Sequence, residues 1–263
     1  MNLSPKLITL DCASTLQTFH LSGSNIISPL KCLRELVFWD CWNLVDIPQL
    51  PPHIKSLEVQ NCVSLERISK LSKILEGEES QMIEAMNLTN CRRLIENLVK
   101  EANVVVNDDC EAVEALFRLF LSCQKSKFAI KFPGSEIPKW FSCQMDFQGL
   151  RRFEFFIEIL PNFKWENTGL ALCVLKQQSD DHMFCKFDFF IYINEVEVKV
   201  LPKDRDLRYV DSRLDHLVLH YIPFLDMCRL HYVPPFMCRV IIFNDMEGTE
   251  CKIISTDAKL ENQ

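Results

Sequence analysis

The chain has 263 residues, 48% of them hydrophobic, which is enough apolar material for one large or two ordinary domains with real cores. Acidic residues outnumber basic ones 36 to 29, a formal charge of -7, so the sequence lacks the positive footprint of a nucleic-acid binder. The opening MNLSPKLITLDC has no signal-peptide core, and no apolar run approaches the roughly 18 residues of a membrane helix, so the chain reads as soluble and unexported, with no membrane partner.

The first hundred residues repeat a pattern, LxxLxLxxCxxL. Leu33, Leu36, Phe38, Cys41 and Leu44 set its phase, and Ile54, Leu57, Val59, Cys62 and Leu65 follow at the same offsets, as do Ile83, Met86, Leu88, Cys91 and Leu94. An earlier copy reads Leu16, Phe19, Leu21, Ser24 and Ile27, with Ser at the Cys position. The steps between first positions 16, 33, 54 and 83 are 17, 21 and 29 residues. This periodicity predicts an α/β leucine-rich-repeat solenoid over residues 1–100, one short parallel strand per copy, with ISKLSKILEGEESQ as a helical or looped excursion. Four copies sharing one small residue also account for Ser24, Cys41, Cys62 and Cys91 as inner-turn residues without reactivity.

Side chains alternate along a strand, so the neighbours of the inward pairs form an outer, concave face. It comprises Thr18, His20 and Ser22, then Glu35, Val37 and Trp39, then Ser56, Glu58 and Gln60, then Ala85, Asn87 and Thr89. Val37 and Trp39 would put an apolar patch on an otherwise polar surface, where a protein partner is expected. Trp39 packing on Trp42 or on the following domain is the competing reading. His20, Glu35, Val37, Trp39, Glu58 and Gln60 are therefore the candidate protein-binding residues. A solenoid starting at Met1 would expose an apolar end, so the chain is expected to be marginally stable or to self-associate unless residues 1–15 fold over it.

LIENLVKEA and NDDCEAVEALFRLFLS then space their apolar residues helically, and Asp108 with Glu111 resembles a capping box, giving a helical joint over 101–125. From about Ser126 the period changes to two, in SKFAIKF, RRFEFFIEIL, TGLALCVL, FCKFDFFIYINEVEVKV, LDHLVLHYI, CRVIIF and CKIIS. Seven or eight strands with no long helix between them predict an antiparallel β-sandwich over 126–263.

Between the helices and these strands stands FPGSEIPKWFSCQ. Pro133 and Pro138 stiffen a bend, Gly134 permits a turn, and Trp140 and Phe141 are expected to anchor the segment. Glu136 is a lone carboxylate without a partner acid, base or metal, so scaffold is preferred to site. Thirteen cysteines, an odd number lying in apolar runs without a CxxC pair, fit buried free thiols better than disulfides. His216 with His220 and His182 with Cys185 are the nearest metal-like spacings, and both lack further ligands, so no metal or cofactor is expected. Asn87-Leu88-Thr89 matches a glycosylation sequon, which means little without a signal peptide.

The segment resembles the start of the jelly-roll/Ig-like domain that follows the repeats in plant TIR-type nucleotide-binding leucine-rich-repeat (TIR-NBS-LRR) immune receptors. The family signature runs approximately PGxEIPxWFxxQ, matched here by Pro133, Gly134, Glu136, Ile137, Pro138, Trp140, Phe141 and Gln144, with Cys143 where a histidine is usual. TGLALCVL is similar to the family's GFALCxV strand and DHLVLHYIP to its DHLxxxY segment, while KIISTDAKLENQ departs from its KxCGxRxVY ending and leaves the last strand's pairing open. The resemblance implies a cytoplasmic or nucleocytoplasmic, non-catalytic recognition module that binds a pathogen effector protein, with a full-length receptor as a further partner. A truncated receptor, a split gene product and a natural short form all fit. The family's NAD-cleaving and nucleotide-binding domains normally lie before the repeats, and no GxxxxGK[ST] loop is present, so neither NAD cleavage nor ATP or ADP binding is expected. Two other classes are weaker: a jelly-roll carbohydrate-binding module using Trp165, and a hydrolase for which Asp180/Asp181 and Asp204/Asp206 look like solvated loop charges.

Overall fold

The computed structural model describes residues 7–11, 33–51, 53–75, 83–101, 114, 116–117, 127–138, 141, 143–146, 152–159, 169–176, 187–198, 215–223, 236–244 and 251–255. The chain forms two compact units, Met1–Cys123 with Ile130–Pro138, and Gln124–Ala129 with Lys139–Gln263.

In the first unit, β1 (Leu7–Asp11), β2 (Glu35–Trp39), β4 (Ser56–Gln60) and β6 (Ala85–Asn87) lie side by side, all parallel. The register carries the sequence phase directly: Leu36 pairs with Leu57 and Leu57 with Met86. Every phase residue from Leu33 to Leu94 is buried. Two-residue strands β3 (Asp46–Ile47) and β5 (Arg67–Ile68) form a separate parallel ladder behind them. Arg67 grips Asp46 there through Nε and Nη2, at 3.1 and 3.0 Å. After these come α1 (Leu71–Leu75) and α2 (Arg92–Glu101), whose Leu94, Ile95, Leu98 and Val99 are buried, and then β7 (Phe128–Pro133), next to β6 in the sheet order.

The α/β leucine-rich-repeat solenoid expected over residues 1–100 is not what forms. The described residues are mostly strand, and α2 is the one helix among them longer than five residues. The return segments explain this. A step of 21 residues is used up by a five-residue strand, a tight turn, the two-residue β3 and the proline-bearing stretch through Pro48 and Pro51, leaving no amphipathic run long enough for a helix. The first repeat also moves. The strand beside β2 is Leu7–Asp11, with Ile8 opposite Leu36 and Leu10 opposite Phe38, where the sequence phase puts Thr18–Ser22 next in line. LITLD alternates as well as TFHLS does, so spacing alone could not choose; residues 16–27 lie outside the described residues.

The second unit holds the antiparallel sandwich. Its strands are β8 (Cys143–Asp146), β9 (Arg152–Ile159), β10 (Gly169–Lys176), β11 (Phe187–Ile193), β12 (Val196–Val198), β13 (His216–Pro223), β14 (Phe236–Asn244) and β15 (Cys251–Ser255). One sheet runs β13-β10-β15-β8 and the other β12-β11-β14-β9. Phe189 of β11 meets the His220 ring of β13 at 4.7 Å between centroids, which joins the two layers. All eight residues of β13 are buried. Within the continuous run FCKFDFFIYINEVEVKV, Phe187–Val198 forms the β11–β12 hairpin because Asn194 and Glu195 both adopt positive φ, 47° and 67°. The last strand, open in the sequence, pairs with both β10 and β8.

Candidate functional site

β2, β4 and β6 each lead into the same turn, built by three consecutive residue types. At the strand end the chain enters the left-handed region at Asp40, Asn61 and Asn90, with φ of 52°, 57° and 60°. Asn and Asp tolerate this conformation best among residues with a side chain. Their side chains then bond from turn to turn, Asn61 Nδ2 donating to Asp40 Oδ1 at 2.8 Å and Asn90 Nδ2 donating to Asn61 Oδ1. Backbone bonds run alongside, from Asp40 N to Gln60 O at 3.0 Å and from Asn61 N to Thr89 O at 2.9 Å.

The cysteine follows, facing inward. Cys62 Sγ donates to Phe38 O at 3.8 Å and Cys91 Sγ to Val59 O at 3.1 Å, each reaching the carbonyl of the preceding strand. Burial is the main force that pushes the Cys62 thiol above its ordinary range and the Cys91 thiol up to about 12. Thiols held protonated in this way are structural donors and not nucleophiles.

The residue after each cysteine points out, which brings Trp42, Val63 and Arg92 to equivalent places on stacked turns, about 5 Å apart along the sheet. Trp42 is 53% exposed, Val63 49% and Trp39, at the end of β2, 42%. Two tryptophans and a valine are each exposed at this corner of the hydrogen-bonded turns, on backbone that does not have to order itself before meeting a partner.

The candidate residues divide on this frame. Glu35 and Trp39 are exposed and Gln60 is half-buried. Val37 is buried at 8% and Glu58 at 7%, so neither offers the free surface expected of it. Cover increases across the face: Asn87 and Thr89 on the β6 side are also buried. Asn87 Nδ2 reaches Glu58 Oε1 at 3.5 Å, and Asn87 Oδ1 accepts the Thr89 backbone N–H at 3.1 Å. Asn87 is therefore held in a buried network and is not presented as a glycan acceptor. His20 lies outside the described residues, and the register positions beside Val37 and Trp39 belong to Thr9 and Asp11. The sequence reading missed Trp42 and Val63. Their signal was the position directly after the phase cysteine, which a buried cysteine forces outward.

In the proline-rich motif, Pro133 closes β7, Gly134 and Ile137 are half-buried, Glu136 is exposed, and Pro138 and Phe141 are buried. Gln144 lies in β8 with its backbone opposite Ile254. Trp140, Trp165, His182, Cys185, Asp180/Asp181 and Asp204/Asp206 lie outside the described residues. His216 and His220 are both buried on β13, and desolvation lowers His220 to about 4. Among the described residues no three His, Cys, Asp or Glu side chains gather as a metal site, and no helix is long and apolar enough to cross a membrane.

No family model matches the chain. The chain is similar to the disease resistance-like protein CSA1 of Arabidopsis thaliana, 33% identical over 224 residues, covering 78% of this chain and 18% of that protein. It is also similar to the Arabidopsis thaliana disease resistance proteins RPS4B, 27% identical over 168 residues, and RPS4, 28% identical over 153 residues. Those two alignments cover 62% and 57% of this chain, and 14% and 12% of the relatives. The matched stretch is thus less than a fifth of each relative's length. By this similarity, with the repeat phase and the proline-rich motif beside it, the chain is a homologue of part of the plant TIR-NBS-LRR disease resistance proteins.

Proposed function

We propose that this chain is a non-catalytic protein-recognition part of a plant immune receptor, and that it binds a pathogen effector protein at the corner formed by Trp39, Trp42 and Val63, with Glu35 and Gln60 beside it. The exposure of two tryptophans on the Asp40–Asn61–Asn90 ladder carries this reading. Exposed aromatics on rigid backbone are the residues that most often dominate protein interfaces, because they bury large area at little cost in side-chain entropy. Polar neighbours at the rim then set which partner fits. The second unit supplies shape in this scheme, and no chemistry is assigned to it.

A display library of secreted pathogen effector proteins, screened against the whole chain, tests the proposal. A captured effector should lose about 2 kcal/mol of binding, roughly thirtyfold in affinity, with either Trp39→Ala or Trp42→Ala. Val196→Ala, on an exposed site in the other unit, serves as the surface control and should bind as the parent does. Captured effectors that bind both tryptophan variants at full strength would remove the corner from the interface.

A further inference from the structure

The sheet β12-β11-β14-β9 ends, among the described residues, on β9. An edge strand carries a row of backbone groups ready to pair with another chain, and proteins usually blunt such edges with prolines, bulges, inward charges or very short strands. β9 has none of these devices. It spans eight residues, RFEFFIEI, without proline or glycine, and its register against β14 runs unbroken from Arg152–Phe243 to Ile159–Phe236. Its inward positions Phe153, Phe155 and Ile157 are all apolar. Among the described residues the other edge strands of the two larger sheets, β1, β8 and β12, have five, four and three residues.

We propose that β9 is a self-association edge, pairing antiparallel with β9 of a second copy about a two-fold axis through Phe155. A two-fold axis perpendicular to the sheet keeps each side chain on its own face, so only registers centred on a residue are allowed. Centring on Glu154 sets that carboxylate against its own copy, and centring on Phe156 sets Glu154 against Glu158; like charges directly opposite are unfavourable. Centring on Phe155 removes both conflicts. Arg152 then faces Glu158 of the second copy twice over, Phe153 faces Ile157, and Phe155 faces itself on the inner layer. Both charged ends are available, since Arg152 and Glu158 are exposed. Glu154 now receives Arg152 at 2.9 Å and Arg239 at 3.3 Å, so it keeps a cation when Arg152 turns to the second copy. The result is two four-stranded sheets joined into one.

Sedimentation of the whole chain over a hundredfold concentration range, read with three variants, tests this. The parent should show a monomer–dimer equilibrium. Arg152→Glu and Glu158→Arg should each weaken the dimer by about tenfold or more, because each turns two attractive pairs into two repulsive ones. The double variant R152E/E158R should recover the parent's affinity to within about threefold. Both substituted side chains are exposed, and circular dichroism identical to the parent's confirms that each variant is folded. A monomer at every concentration overturns the proposal, and so does a dimer that ignores the swap, since that would place association elsewhere, such as the β1 edge.

Discussion

Asn61 is the middle rung of the turn ladder and has two separable duties. Its side chain donates to Asp40 and accepts from Asn90, and its backbone holds φ at 57°. Glycine keeps the backbone geometry and loses the side-chain bonds, whereas alanine loses the bonds and strains the backbone as well. Urea unfolding should therefore rank the variants, with Asn61→Gly costing about 1 kcal/mol and Asn61→Ala about 2. His220 is a second case of one residue setting a bulk property. Its Nδ1 has no hydrogen-bond partner among the described residues, its ring packs on Phe189, and burial lowers its pKa from 6.5 to about 4. A depressed folded-state value means the stability is present above about 6.5 and is lost as the pH falls toward 4, because the unfolded chain takes up the proton first. The parent should lose about 3 kcal/mol more than His220→Leu between pH 7 and pH 4, read as the difference between their denaturation profiles. Trp39 and Val37 show what the sequence could tell at this scale. Alternation puts them on one side of β2, but it does not say what lies over that side, and only Trp39 is exposed.

Among the elements, strands with clean alternation were legible and short or interrupted ones were not. RRFEFFIEIL became β9 because one face had to be apolar, and TGLALCVL, a continuous apolar run bounded by turn residues, became β10, buried on both faces. CQMD has no such signal and gains its strand character from pairing with β15, a partner more than a hundred residues away in sequence. The one helical or looped excursion expected between strands, ISKLSKILEGEESQ, carries the five-residue α1, because leucine spacing fixes the strand while the length between strands decides whether a helix can follow. Gly169, which opens β10, is an element-level constraint. A Cβ there would stand 2.6 Å from the Ile222 carbonyl oxygen and 2.6 Å from the Tyr221 ring. The backbone oxygen cannot move without disturbing the β10–β13 ladder, in which Gly169 lies opposite Pro223. Gly169→Ala should thus destabilise the chain by about 2 kcal/mol in thermal or chemical unfolding, with loss of the near-ultraviolet Tyr221 signal before the far-ultraviolet one.

At the scale of the whole molecule, the change of period near Ser126 was legible because a sheet and a helix cannot share one hydrophobic spacing. The compact units divide the chain inside β7, with Ile130–Pro138 belonging to the first. Leu88 N donates to Lys131 O at 2.8 Å, so β6 draws on that later segment. A protein of residues 1–138 should consequently melt higher than one of residues 1–125, which lacks it; equal melting temperatures in calorimetry would show that the first unit does not need the added strand. The left-handed turns have a wider consequence. Strand-to-strand offsets of 21 residues between Leu36 and Leu57 and 29 between Leu57 and Met86 reach the same alignment, because each asparagine rung clamps its turn to the one before. Length can therefore vary on the return side while the tryptophan corner keeps its geometry. An outward surface made this way can be re-specified by exchanging side chains, one rung at a time, without re-engineering the fold beneath.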